Sequence, residues 1–159
     1  MKKLAMLAAI ATLALGAGTA LAGSTATVGT ASTSLGTVLV NSSGRTLYML
    51  SGETTNKLLC TSSACLKFWP PLSSATKPTV SGAAKSSLVN WFKRNGKWQV
   101  TYAGHPLYTF AGDTKAGAVS GEGVKDGSST WWAVSPSGAA MPKKSTKATT
   151  TSSGGGSSW

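Results

Sequence analysis

Short alternations of apolar and polar residues, separated by turn residues, run from about residue 37 to residue 137. A period of two is the pattern of strands, and turn-forming residues between the runs mark the reversals. Thr37–Val40 reads as a strand, Asn41–Gly44 as a turn and Arg45–Leu50 as the returning strand. Alternation puts Leu47 and Met49 on one face of it and Tyr48 and Leu50 on the other. Asn90–Arg94 leads into Asn95-Gly96, a strong hairpin turn signal because both central residues accept positive φ. Lys97–Tyr102 returns, with Trp98, Val100 and Tyr102 on one face, and Ala103-Gly104 turns the chain again into Pro106–Phe110. Pro106 lacks a ladder donor and belongs at the strand's start or on an edge. Trp131–Val134 is the last strand. Helical signals are confined to Ser62–Trp69, capped by Ser62 or Ser63 and ended by Pro70-Pro71, and to a single turn at Ser86–Val89. Segments 52–60, 72–85 and 112–130 read as loops.

Part of this pattern occurs twice. Shifted by sixty residues without a gap, Val40/Val100, Gly44/Gly104, Leu47/Leu107, Tyr48/Tyr108, Gly52/Gly112 and Thr54/Thr114 are identical, and Glu53/Asp113 keeps a carboxylate. A fixed-offset repeat implies one folded unit built from two related halves. The fold expected is mainly β: two pseudo-repeated antiparallel hairpin or meander units in one small β domain, with one or two short helical turns.

The ends of the chain differ in character. Lys2-Lys3, the apolar run Leu4–Leu15 and the small-x-small site Ala20-Leu21-Ala22 make residues 1–22 a signal peptide, with Gly23 the new N-terminus. The product is then soluble in the periplasm or secreted, with no transmembrane span after processing. Residues 23–36 are rich in Ser, Thr, Gly and Ala and read as a flexible leader, and 138–159 as a disordered Lys/Ser/Thr/Gly tail, leaving 37–137 as the folded domain. Six Trp, three Tyr and three Phe point to an aromatic core in so small a body.

Charge narrows the partners. The formal net charge of +11 becomes +9 when Lys2 and Lys3 leave (11 − 2 = 9), and the only acids are Glu53, Asp113, Glu122 and Asp126. A field of one sign attracts anionic surfaces. An exported protein rarely meets nucleic acid, so the anionic envelope surface, lipid head groups or wall polymers, is the nearer partner; an acidic habitat is another reading of the same charge. The sequence is silent on oligomeric state.

Few residues carry reactive chemistry. Cys60 and Cys65, the only cysteines, read first as a disulfide in an exported protein, with a metal site or a redox dithiol as rivals. The two-residue redox spacing is absent, and no His follows the second Cys. His105, the only histidine, sits in a turn between Gly104 and Pro106 and reads as exposed; as a speculative metal ligand it would need soft partners such as Cys60, Cys65, Met49 or Met141. No nucleophile elbow and no paired acid and base appear, so no catalytic residue and no cofactor are assigned. The repeated positions Tyr48, Leu50, Glu53 and Tyr108, Phe110, Asp113 have a structural account: aromatics two apart pack on one face, Gly turns the chain, and the carboxylate accepts backbone amides after it. A binding role for the same motif is the rival reading.

Gly44-Arg45-Thr46-Leu47-Tyr48, Cys60…Cys65, Trp69-Pro70-Pro71-Leu72, Gly104-His105-Pro106-Leu107-Tyr108, Phe110…Asp113 and Trp131-Trp132-Ala133-Val134-Ser135-Pro136 together resemble a bacterial secreted-repeat family, described as predicted lipoproteins with a Tyr-x-(Phe/Trp/Tyr)-x-x-Asp motif. The resemblance spans about 37–135. The first copy departs from it at Leu50 and Glu53, and no lipid-bearing Cys stands at the cleavage site. The resemblance implies a fold and an exported location, and no biochemical activity. The function expected is that of an exported cell-envelope β domain, a non-enzymatic binding or structural protein; the alternative is a periplasmic metal-handling (copper-like) or redox accessory protein.

Overall fold

The computed structural model describes residues 24–141. In chain order it contains β1 (Thr27–Thr33), β2 (Gly36–Val40), β3 (Tyr48–Leu50), α1 (Ser63–Phe68), β4 (Ser73–Ser74), β5 (Thr79–Val80), a 3-10 turn at Ser86–Leu88, β6 (Val89–Arg94), β7 (Lys97–Tyr102), β8 (His105–Pro106), β9 (Lys125–Asp126) and β10 (Ser129–Ala133). The chain is mainly β, arranged in several small sheets rather than a closed barrel. One sheet has the order β2-β1-β5, a second β3-β10-β9, and a third β4-β7-β6 with β8 also paired to β7.

The predicted hairpin at Asn95-Gly96 forms, with φ of 49° and 77° at its two central residues. It joins β6 and β7 in a register running from Arg94↔Lys97 to Val89↔Tyr102. The predicted short helix forms as α1. Ser62 is its N-cap, its side chain accepting from the Cys65 amide, so one orphan donor of the first turn is satisfied. The returning strand is shorter than expected: an isolated bridge joins Val40 and Thr46, and regular pairing starts only at Tyr48.

Both faces of the central strands are buried. Leu39, Leu47, Met49, Val100, Tyr102, Leu107 and Val134 belong to one apolar cluster. Val38, Val40, Tyr48, Leu50, Trp69, Tyr108, Trp131 and Ala133 belong to the other. Leu47 and Met49 thus part from Tyr48 and Leu50 as alternation requires. A fully buried Leu such as Leu47 contributes about 1.5–3 kcal/mol relative to an exposed one.

Three expectations need correction. The stretch 23–36, read as a flexible leader, contains β1, which pairs antiparallel with β2 and parallel with β5. Its small residues still bury apolar surface, since Ala26 and Val28 enter the first cluster. At the other end, Ala140 bridges Val134, and the Met141 amide donates to the Ala133 carbonyl, so the fold runs past residue 137. The loops 72–85 and 112–130 likewise hold the short strands β4, β5 and β9. The segment 1–22, expected to be a signal peptide, and residues 142–159 of the expected tail lie outside the described residues.

Candidate functional site

The two tyrosine-centred stretches meet in the second cluster. Tyr48 and Tyr108 face each other antiparallel, each amide donating to the other's carbonyl at 2.8 and 3.0 Å. Their side chains cross. The Tyr48 hydroxyl donates to Asp113 Oδ2 at 2.6 Å, and the Tyr108 hydroxyl donates to Glu53 Oε1 at 3.1 Å. Each tyrosine is therefore completed by the carboxylate of the other stretch. Tyr48 also accepts from the Gly121 amide (3.3 Å), and Tyr108 from Arg94 Nη1 (2.8 Å). The carboxylates serve backbone amides as well. Glu53 Oε1 accepts from Leu59 and Cys60, and Asp113 Oδ1 from Ser120.

Aromatic rings repeat the crossing. Tyr48 stands edge-on to Trp69 and Tyr108 edge-on to Trp131, with centroids 5.5 and 5.1 Å apart. The two indoles stack on each other at 3.9 Å with an interplanar angle of 7°, and Phe110 stacks on Trp69 at 4.4 Å. Backbone bonds follow the same scheme. Leu72 donates to Leu107 and Val134 to Leu47; Ala111 donates to Phe68 and Ser51 to Thr130. Trp69/Trp131 and Leu72/Val134 thus occupy matching places at a spacing of sixty-two, which the gapless comparison at sixty does not show. Gly121 is required by proximity: a Cβ there would lie 2.8 Å from the Tyr48 ring and 2.9 Å from that of Trp69.

Burial and charge make these phenols poor acids. Burial, then the bond to Asp113, drives the Tyr48 hydroxyl far above its ordinary value, and burial with the nearby Glu53 charge pushes Tyr108 up to about 12. Glu53 and Asp113 are buried, and one Glu53 oxygen, Oε2, has no hydrogen-bond partner. Arg94 closes the Glu53 side of the cluster, donating to Gln99 Oε1 at 3.0 Å and to the Cys60 carbonyl. Nothing in its sequence context marked Arg94 or Gln99 as partners of the motif. Chemically the cluster is a locked set of phenol–carboxylate bonds that ties chain segments far apart in sequence.

The other candidate residues lie around it. Cys60 and Cys65 form a disulfide, with Cα atoms 5.6 Å apart, which fixes the loop after Glu53 to the first turn of α1. His105 is half-buried in β8 rather than exposed in a turn, with Nδ1 3.0 Å from the Glu53 carbonyl oxygen. The soft set suggested for it does not assemble: the cysteines are bonded to each other, and Met49 and Met141 pack with different apolar clusters. Among the described residues no group of three or more His, Cys, Asp or Glu side chains converges as a metal site would require. Leu50 and Phe110 belong to the same apolar cluster as the tyrosines.

The surface has the opposite character. Every lysine from Lys57 to Lys125 is exposed, whereas Asp126 is the only exposed acid among the described residues; Glu122 is half-buried and accepts from the Ala133 amide. Along the β6–β7 hairpin, Lys93 Nζ sits 5.5 Å from the ring centroid of its cross-strand partner Trp98, and the Trp91 ring lies edge-on to Trp98 at 6.4 Å. No helix among the described residues is long and apolar enough to cross a membrane.

No curated protein and no solved structure matches the chain. One protein family does, over residues 93–135, from the tip of the hairpin through Tyr108 and Asp113 to Trp131 and on to Ser135. The second tyrosine-centred stretch is thus similar to a family described as a secreted repeat of unknown function, the kind of family that the sequence motifs resemble.

Proposed function

We propose that this protein is a non-enzymatic adhesive domain of the bacterial envelope, exported to the periplasm or beyond, that binds anionic surface material. The observation that carries this reading is the sidedness of its charges. Glu53 and Asp113 are consumed inside the fold by phenols and amides, while the lysines stand outside. With two of its four acids drawn inside, the protein presents a surface dominated by one sign, which draws polyanions from a distance and holds them. The phenols and carboxylates that a reaction would need are buried and bonded to one another, which favours a scaffold over a catalyst. Cosedimentation of the whole exported chain with isolated envelope fragments tests the reading. Binding is expected at low salt and release at about 1 M salt, where screening acts within roughly 3 Å. A chain that stays in the supernatant at low salt defeats it.

A further inference from the structure

We propose that the β6–β7 hairpin is a binding site for an acidic polysaccharide strand, a glycan carrying uronate groups. The inference rests on the adhesive reading above and names the place and the ligand class. Trp98 is among the few large apolar side chains left exposed, at 37 % of its surface. An exposed indole with a second one edge-on beside it offers a flat ring face of the kind that pyranose rings cover with their C–H faces. Two grooves flank this platform. One, of about 360 Å³, is lined by Ser73, Ser74, Lys97 and Trp98 among others. The other, of about 440 Å³, includes Ser73, Arg94, Lys97 and Gln99. They share Ser73 and Lys97, so the two grooves meet at one lysine beside the platform. Neither groove is lined by an acidic side chain.

The chemistry of the lining selects the ligand. Hydroxyls and amides suit sugar hydroxyls, the indole suits a ring face, and cations require acidic groups along the chain. Lys97 lines both grooves and Lys93, outside them, holds its ammonium over the Trp98 ring; these two are the accessible cations, because Arg94 is turned inward onto Gln99, Tyr108 and Cys60 and adds its charge from beneath. A membrane is the less fitting surface. The tip of the hairpin is Asn95-Gly96 between Arg94 and Lys97, so the part that projects furthest along the strands is polar, whereas a segment that enters the interface leads with an apolar face.

Titration of the whole exported chain with polygalacturonate, with neutral dextran and with phosphatidylglycerol vesicles tests this. Polygalacturonate is expected to bind in a salt-sensitive way, and dextran not to bind. Trp98→Ala and the pair Lys93→Gln/Lys97→Gln should each weaken polygalacturonate about tenfold, a modest hot-spot loss. The pair Lys57→Gln/Lys115→Gln removes the same charge elsewhere and should change affinity by no more than about twofold. Melting temperatures establish that the variants fold, and the lysine pair alone decides the matter if Trp98→Ala does not. Equal losses from both lysine pairs would mean diffuse attraction, overturning the hairpin site while the adhesive reading stands. Wild-type binding to vesicles and not to polygalacturonate overturns the ligand class. Binding to none of the probes, with envelope fragments still cosedimenting, refutes the acidic glycan alone; failure there too removes both readings.

Discussion

A buried phenol hydroxyl or carboxylate without a partner is costly, and Tyr48, Tyr108, Asp113 and Glu53 avoid that cost by reaching across to the opposite stretch. Removing one hydroxyl leaves a buried carboxylate short of a donor, so Tyr48→Phe and Tyr108→Phe should each destabilise by about 1–3 kcal/mol in urea unfolding. Tyr48→Ala and Tyr108→Ala also leave cavities and should cost about 3–5 kcal/mol each, by similar amounts. Asp113→Asn should be milder, because the amide oxygen still accepts. The phenols also fix a pH dependence. Both are raised above the ordinary value near 10. The unfolded chain therefore releases these protons first as pH rises, and stability falls from about pH 10 upward, the share of Tyr108 being lost by about 12. Melting temperatures measured from pH 8 to 12 should decline less steeply in the Tyr48→Phe/Tyr108→Phe double variant than in the wild type; parallel declines would remove the phenols as the cause. Half of this is legible in the sequence. Glu53 and Asp113 stand where a carboxylate accepts local amides, as they do, but the phenol donors lie more than fifty residues away and no local spacing reveals them.

Turn chemistry was the most legible part of the fold, because positive φ restricts which residues can stand there. Asn95-Gly96 met that restriction and the hairpin formed. Ala103 meets it badly: it holds φ of 50° in the next reversal, a conformation strained for an alanine. Ala103→Asn, at an exposed position, should raise stability by up to about 1 kcal/mol, because Asn bears the left-handed conformation better, read as a higher melting temperature. The disulfide is a second element-scale device. It closes a short loop, so Cys60→Ser/Cys65→Ser should cost only about 2 kcal/mol, and thiol titration of the denatured, unreduced wild type should find no free cysteine. Strand β1 was the least legible element. Its sequence, Thr-Val-Gly-Thr-Ala-Ser-Thr, has a single large apolar residue, so composition resembles a linker. What orders it is pairing, antiparallel to β2 through Gly29↔Val40 and beyond, and parallel to the distant β5. Short strands such as β4 and β9 escape a periodicity argument for the same reason, since two residues hold no period.

Seen whole, the molecule places Glu53 and Asp113 with Tyr48, Trp69, Tyr108, Phe110 and Trp131 in one crossed cluster and its lysines around it, and the match to a secreted repeat covers only the second of the two stretches that build the cluster. Strand pairing crosses between the halves as well: β3 pairs with β10 and β4 with β7. Residues 24–88 and 89–141, produced as separate chains, should each lack stable β structure and regain it on mixing, followed by circular dichroism; either fragment folding alone as a monomer contradicts the crossed arrangement. The Tyr48–Tyr108 contact is moreover of the self-complementary kind, the same groups on both sides, which in oligomers belongs to a two-fold interface. Neither tyrosine here takes its carboxylate from its own stretch, so a stretch by itself leaves its phenol without that partner. Joining two stretches in a single polypeptide replaces an encounter between molecules with an effective concentration in the millimolar range for a short tether. Parity is therefore the consequence in this chain: its two stretches satisfy each other, and a third stretch added to it would leave one tyrosine without a carboxylate.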